Sequence, residues 1–129
     1  MKNLTLSFAV IVSLLAVSCK KETEVKPQGP VTPKTVLVEY RIVTETSNAD
    51  ATYRYPNADG VLISTNEHIS RSPYSISFKV TTGNFLSVEA ANTIASNKSI
   101  TVQIYVDGTL FKESTNKFPS QTAVASGNY

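Results

Sequence analysis

From Val36 onward, apolar and polar residues alternate with period two, and helix-forming runs are scarce. Successive side chains of an extended strand point to opposite faces, so this alternation gives strands with one face for a core and one for water. Val36, Val38, Tyr40 and Ile42 alternate with Leu37, Glu39, Arg41 and Val43. Ala51, Tyr53 and Tyr55 alternate with Thr52 and Arg54 as far as Pro56, and Val61-Leu62-Ile63 follows a turn at Asn57-Ala58-Asp59-Gly60. Tyr74, Ile76, Phe78 and Val80 alternate with Ser75, Ser77 and Lys79 until Gly83-Asn84 turns the chain. Leu86, Val88 and Ala90 make a shorter run, and Ile100, Val102, Ile104 and Val106 alternate with Thr101, Gln103 and Tyr105. Asp107-Gly108 then reads as a two-residue hairpin turn. Thr109 to Ser114 is the return strand and Ala123 to Ser126 a last one, whereas Ala90 to Ala95 is too short for a helix.

Roughly seven or eight short strands separated by turn signals predict an all-β fold, an antiparallel immunoglobulin-like β-sandwich. A closed barrel is the alternative. The domain spans residues 35–129 and is expected to be monomeric. The chain has one cysteine, Cys19, and it lies outside that span. With no internal disulfide available, the domain must rest on its hydrophobic core alone. About 95 residues suffice for one such core and not for two.

The first residues form a secretion signal. Lys2 supplies the positive start, and the apolar run from Leu4 to Val17 is broken only by Thr5, Ser7 and Ser13. That run is shorter than the ~20 residues a bilayer core requires, and fits a signal-peptide core instead. It ends in Leu14-Leu15-Ala16-Val17-Ser18-Cys19, which resembles the lipobox of bacterial lipoproteins, with Ala16 where that motif usually has Leu. The resemblance implies a leader over 1–18, acyl chains on Cys19 as lipid attachment site, and a membrane partner reached through them. Two or more acyl chains, at ~0.8 kcal/mol per buried CH₂, give stable attachment where one does not.

Residues 19–34 read as a tether. Lys20-Lys21-Glu22 opens it, Pro27, Pro30 and Pro33 recur every third position, and no apolar period is present. Such a segment favours extended polyproline II at ~3.1 Å per residue, a reach of up to ~45 Å. A ligand for a proline-binding module is the other reading. The charged start looks like that of lipoproteins from Bacteroidota-type bacteria, which implies an outer-membrane location facing the periplasm or the cell surface.

A second resemblance covers about Val36 to Ser114. Tyr40-Arg41-Ile42-Val43, Ala51-Thr52-Tyr53, Ser72-Pro73-Tyr74, Phe78-Lys79-Val80, Val88-Glu89-Ala90-Ala91-Asn92 and Thr101 to Gly108 occur in an order similar to the small mycobacterial membrane protein (MmpS) family. It implies a β-sandwich accessory to envelope transporters. That family is usually anchored by a transmembrane helix and often carries a cysteine pair, neither of which this domain has.

No catalytic constellation presents itself. His68 is the sole histidine and sits in a polar stretch that reads as a solvated loop, and no Gly-x-Ser-x-Gly elbow occurs. One histidine and no cysteine in the domain exclude a zinc site of the usual kind. Asp50, Asp59 and Asp107 read as turn residues. The chain has 12 Lys+Arg against 10 Asp+Glu, and losing Lys2 with the leader removes a cation, so there is no nucleic-acid footprint. The expected protein is non-enzymatic, carries no cofactor beyond its acyl chains, and acts by binding.

A two-residue turn at Asp107-Gly108 sets Tyr105 opposite Leu110 and Gln103 opposite Lys112 on the outer face of a sheet. These four residues are the candidate binding surface, for an envelope protein partner. The same register would set Glu113 opposite inward-facing Val102, so a bulge or fraying is expected there. Tyr53 and Tyr55 are a candidate platform for sugar if they face outward, and core residues if they face inward. A surface module for glycan or host matrix is accordingly the second functional reading.

Overall fold

The computed structural model describes residues 32–129 apart from 47, 95–96 and 119–120. The expected leader, Cys19 and the expected tether up to residue 31 lie outside the described residues. Eight strands run in chain order: β1 (Thr35–Thr44), β2 (Ala49–Pro56), β3 (Leu62–Ile69), β4 (Tyr74–Thr81), β5 (Phe85–Asn92), β6 (Ile100–Val106), β7 (Thr109–Asn116) and β8 (Thr122–Asn128). They form two four-stranded sheets, ordered β4-β1-β6-β7 and β3-β2-β5-β8, with every pairing antiparallel. Each sheet keeps two open edges, so the architecture is a sandwich and not a closed barrel.

The alternation places the core. Val36, Val38, Tyr40 and Ile42 of β1 and Ile100, Val102, Ile104 and Val106 of β6 are buried in the first sheet. Ala49, Ala51 and Tyr53 of β2, Leu86, Val88 and Ala90 of β5, and Ala123 and Ala125 of β8 face them from the second. Fully burying a Val, Leu or Ile side chain is worth about 1.5–3 kcal/mol, and this set replaces the missing disulfide. The many alanines of the second sheet make room for Tyr40, which packs edge-on against Tyr53 at 6.1 Å and Phe78 at 5.1 Å between ring centroids. The Tyr40 hydroxyl accepts the Ser87 N–H at 3.2 Å, a bond between the sheets. Burial of that phenol pushes its pKa up to about 12.

Polar groups close the end at Thr44 and Asn92. Buried Asn92 accepts hydrogen bonds from Thr44 Oγ1 at 2.7 Å and Thr46 Oγ1 at 3.0 Å, and its amide donates to the Lys98 carbonyl at 2.9 Å. At the opposite end Asp107 (φ 47°) and Gly108 (φ 79°) make the expected hairpin turn, whose two left-handed residues match the twist of β6 and β7.

Three expectations are corrected. β3 does not stop near Ile63 but continues to Ile69, so His68 lies on a strand and not in a loop. Its polar composition hides a strand because Thr65 and Glu67 share a face with Tyr53 and Ala51 opposite them. Asp50 is likewise a β2 residue. The third correction concerns the β6–β7 register. Tyr105 does pair with Leu110, but a bulge follows, so Ile104 pairs with Lys112 and Gln103 with Glu113. The extra residue turns Phe111 toward the core, where its ring meets Tyr129 edge-on at 5.3 Å.

Candidate functional site

The outer face of the first sheet is built by the odd-numbered residues of β1 and β6, because their even-numbered neighbours fill the core. Register brings Glu39 beside Tyr105 and Arg41 beside Gln103, while β7 adds Leu110 and Glu113. Tyr105 sits at the centre, half-buried. The Arg41 guanidinium carbon stands 4.7 Å from its ring centroid, a cation–π contact. Glu39 holds that guanidinium through Oε1, at 2.9 Å from Nη2 and 3.1 Å from Nε. The Tyr105 hydroxyl donates to Gln103 Oε1 at 3.2 Å, and the Gln103 amide donates to Glu113. The ring is therefore fixed at both ends, with exposed Leu110 on one flank and exposed Leu37 nearby.

Of the four residues expected on this surface, Tyr105, Leu110 and Gln103 come together. Lys112 does not. Its ammonium lies 5.5 Å from the Phe111 ring centroid, carried there by the bulge, and Glu113 occupies the place assigned to it. The β7 charge beside Gln103 is thus negative, opposite Arg41 of β1 on its other side. Sequence reasoning also missed Arg41 and Glu39, since nothing local announces that β1 lies beside β6.

The outer face of the second sheet carries a shallow groove of about 390 Å³. Ala51, Ala90 and Ala91 are among its lining residues, and Asp50, Thr52, Asn66, Glu89 and Thr122 supply the polar ones. Thr52 Oγ1 donates to Asn66 Oδ1 at 2.7 Å, and Asp50 Oδ1 lies 2.8 Å from His68 Nδ1, both side chains exposed. Tyr53 and Tyr55 are not part of this groove. Both belong to the core side, which removes the tyrosine platform.

A third polar cluster joins β3 of one sheet to β4 of the other. The Glu67 carboxylate accepts hydrogen bonds from the Tyr53 hydroxyl and, at 2.6 Å, from the Tyr74 hydroxyl. These two bonds hold the Glu67 carboxyl below the usual carboxylate range. Burial first, and the adjacent carboxylate second, push both phenols up. Every group has its partner, so the cluster is a clasp between sheet edges.

Among the described residues no group of three or more His, Cys, Asp or Glu is placed to hold a metal ion. Comparison with protein-family models finds no match to this chain, and a search of curated proteins finds none similar to it.

Proposed function

We propose that this chain is a cell-envelope lipoprotein, held to the outer membrane through Cys19, whose sandwich acts without chemistry of its own by binding an envelope protein. The contact surface is the outer face of the first sheet, centred on Tyr105. One observation carries this reading: Tyr105 is locked beside exposed Leu110 by Arg41 and Gln103. A rigid aromatic with a polar tip and an apolar neighbour loses little entropy on docking, which suits an interface centre. The MmpS resemblance makes a transporter subunit the partner to seek.

The test places a photo-crosslinking residue at Leu110 in cells and at Ser75, on the same face at its far edge. A discrete adduct with an envelope protein from position 110, lost in Tyr105→Ala, supports the reading. Adducts of equal yield from both positions, or one unaffected by Tyr105→Ala, would refute it.

The groove beside Ala91 favours a second reading, a module for glycan. Hydroxyl, amide and carboxylate groups of Thr52, Thr122, Asn66, Asp50 and Glu89 line it beside three alanines, and such groups can pair with sugar hydroxyls. Glycan binding that survives Tyr105→Ala but falls with Asn66→Ala would transfer the function to that groove.

A further inference from the structure

The chain leaves the sandwich toward the tether at one end. The Lys34 N–H donates to Thr82 Oγ1 at 3.1 Å, and its carbonyl accepts the Thr82 N–H at 2.8 Å. The Lys34 ammonium lies 3.6 Å from the Asp107 carboxylate. The strand registers gather at this same end the β2–β3 turn, the β6–β7 hairpin, the first residue of β5 and the last residues of β8.

Large apolar side chains stand out there, among them Val61 at 59% exposure, Leu37 at 48%, Leu110 at 46%, Phe85 at 42% and Tyr129 at 41%. A slot of about 240 Å³ opens beside Leu110, Phe111 and Tyr129. Basic groups accompany them. The Arg54 guanidinium carbon is 5.9 Å from the Phe85 ring centroid, and Lys112 lies over Phe111. Of the acids at this end, Asp107 is already paired with Lys34, and Asp59 of the β2–β3 turn stands exposed beside Val61.

We infer that this tether end of the sandwich, with Val61, Phe85 and Tyr129 at its tip, docks on an anionic lipid surface. The inference rests on the reading of Cys19 as acylated. Apolar and aromatic tips enter the headgroup layer while neighbouring basic side chains meet lipid phosphates, and each contribution adds to the other. Exposure alone does not select the end, because Ile94 and Phe118 are also exposed at the opposite one. The tether selects it. A lipid anchor joined to this end through a tether reaching up to ~45 Å keeps the local concentration of surface high around it. Weak docking then suffices, since linking turns the second contact into an intramolecular one. Docking also orients the domain, with the Tyr105 face standing upright beside the membrane, where an integral partner would reach it.

The test uses the acylated protein in vesicles. Acylated Cys19 has no free thiol, so Val61→Cys, Phe85→Cys and Ile94→Cys each create a single site for a nitroxide label. In vesicles of phosphatidylcholine and phosphatidylglycerol, labels at 61 and 85 should show a several-fold higher ratio of oxygen to aqueous nickel-chelate collisions than the label at 94. Phosphatidylcholine alone should shrink that contrast. Circular dichroism of each labelled protein confirms that the comparison is among folded domains. Equal ratios at all three sites, in protein that floats with the vesicles, would overturn docking while leaving the anchor intact. An undiminished contrast in phosphatidylcholine alone would overturn the requirement for anionic lipid. A mass showing unmodified Cys19 would remove the anchor reading, and the docking with it.

Discussion

The Asp107 carboxylate accepts a hydrogen bond from the Leu37 N–H at 2.9 Å, and the Asp107 N–H donates to the Leu37 carbonyl at 2.8 Å. The residue that turns the β6–β7 hairpin therefore also closes the last rung between β1 and β6. It does so from a left-handed backbone conformation, φ 47°, which Asp tolerates better than most residues.

Asp107→Ala should cost about 1–3 kcal/mol, from the lost hydrogen bond to the Leu37 N–H together with the strain of alanine at positive φ. Asp107→Asn keeps both the acceptor and the backbone tolerance, and should cost under about 1 kcal/mol. Urea denaturation of the two variants checks this. Equal losses would assign the effect to the charge pair with Lys34 instead of to the Leu37 bond.

The Glu67 clasp should contribute to the acid limit of stability. Its folded pKa is depressed, so the stability it contributes is fully present above the unfolded value of ~4.3 and is lost as pH falls through the folded value. Tyr53 and Tyr74 have raised values, so their contribution is present below ~10 and is lost as pH rises further. The urea midpoint should therefore be flat from about pH 5 to pH 9 and fall on both sides. Glu67→Gln should weaken the acid fall while lowering the plateau. An acid limb identical in that variant would mean that other carboxylates set it.

These features differ in how far the chain announces them. The inner faces of β1 and β6 are plain in the sequence, because every second residue from Val36 to Ile42 and from Ile100 to Val106 is apolar and buried. Most of β3 is hidden, because Glu67 faces inward and is made tolerable by Tyr53 and Tyr74 of other strands. Trouble in β7 is legible in the clash of Glu113 with an inner position. Its resolution at Phe111 is not, because that depends on Tyr129, which alternation alone cannot place. For the same reason Tyr105 and Leu110 could be paired by counting from the turn, whereas Arg41, brought in from β1, could not.

The core makes a sharper contrast between neighbours. Ile104 is fully buried and Gln103 lies on the outer face. Ile104→Ala should cost about 2–5 kcal/mol, the usual range for a buried large-to-small change. Gln103→Ala should stay within about 1 kcal/mol, since it removes surface hydrogen bonds whose partners water can reach. Paired denaturation curves with unchanged slopes are the check.

For the anchor, Cys19→Ala should abolish acylation. The precursor should then remain uncleaved, or the protein should appear in the soluble fraction. Metabolic labelling with a fatty acid reads this directly, and label retained by the variant would refute the assignment of Cys19.

The candidate surface is testable through its own internal contact. The Arg41 guanidinium carbon lies 4.7 Å from the Tyr105 ring centroid, with both residues partly exposed. A cation–π pair in that setting is worth about 0.5–1 kcal/mol. Tyr105→Ala should therefore lower domain stability by about 1–2 kcal/mol, once its bond to Gln103 is included. A double-mutant cycle with Arg41→Ala should return a coupling of about 0.5–1 kcal/mol. Tyr105→Phe keeps the ring over the guanidinium, and should retain most of that coupling while losing the Gln103 bond. Binding to the proposed envelope partner separates a docking role from a merely structural one. It should fall far more in Tyr105→Ala than stability does, and should fall in Leu110→Asp with stability nearly unchanged. If Tyr105→Ala unfolds the domain instead, the ring belongs to the framework of the sheet, and the contact surface lies elsewhere.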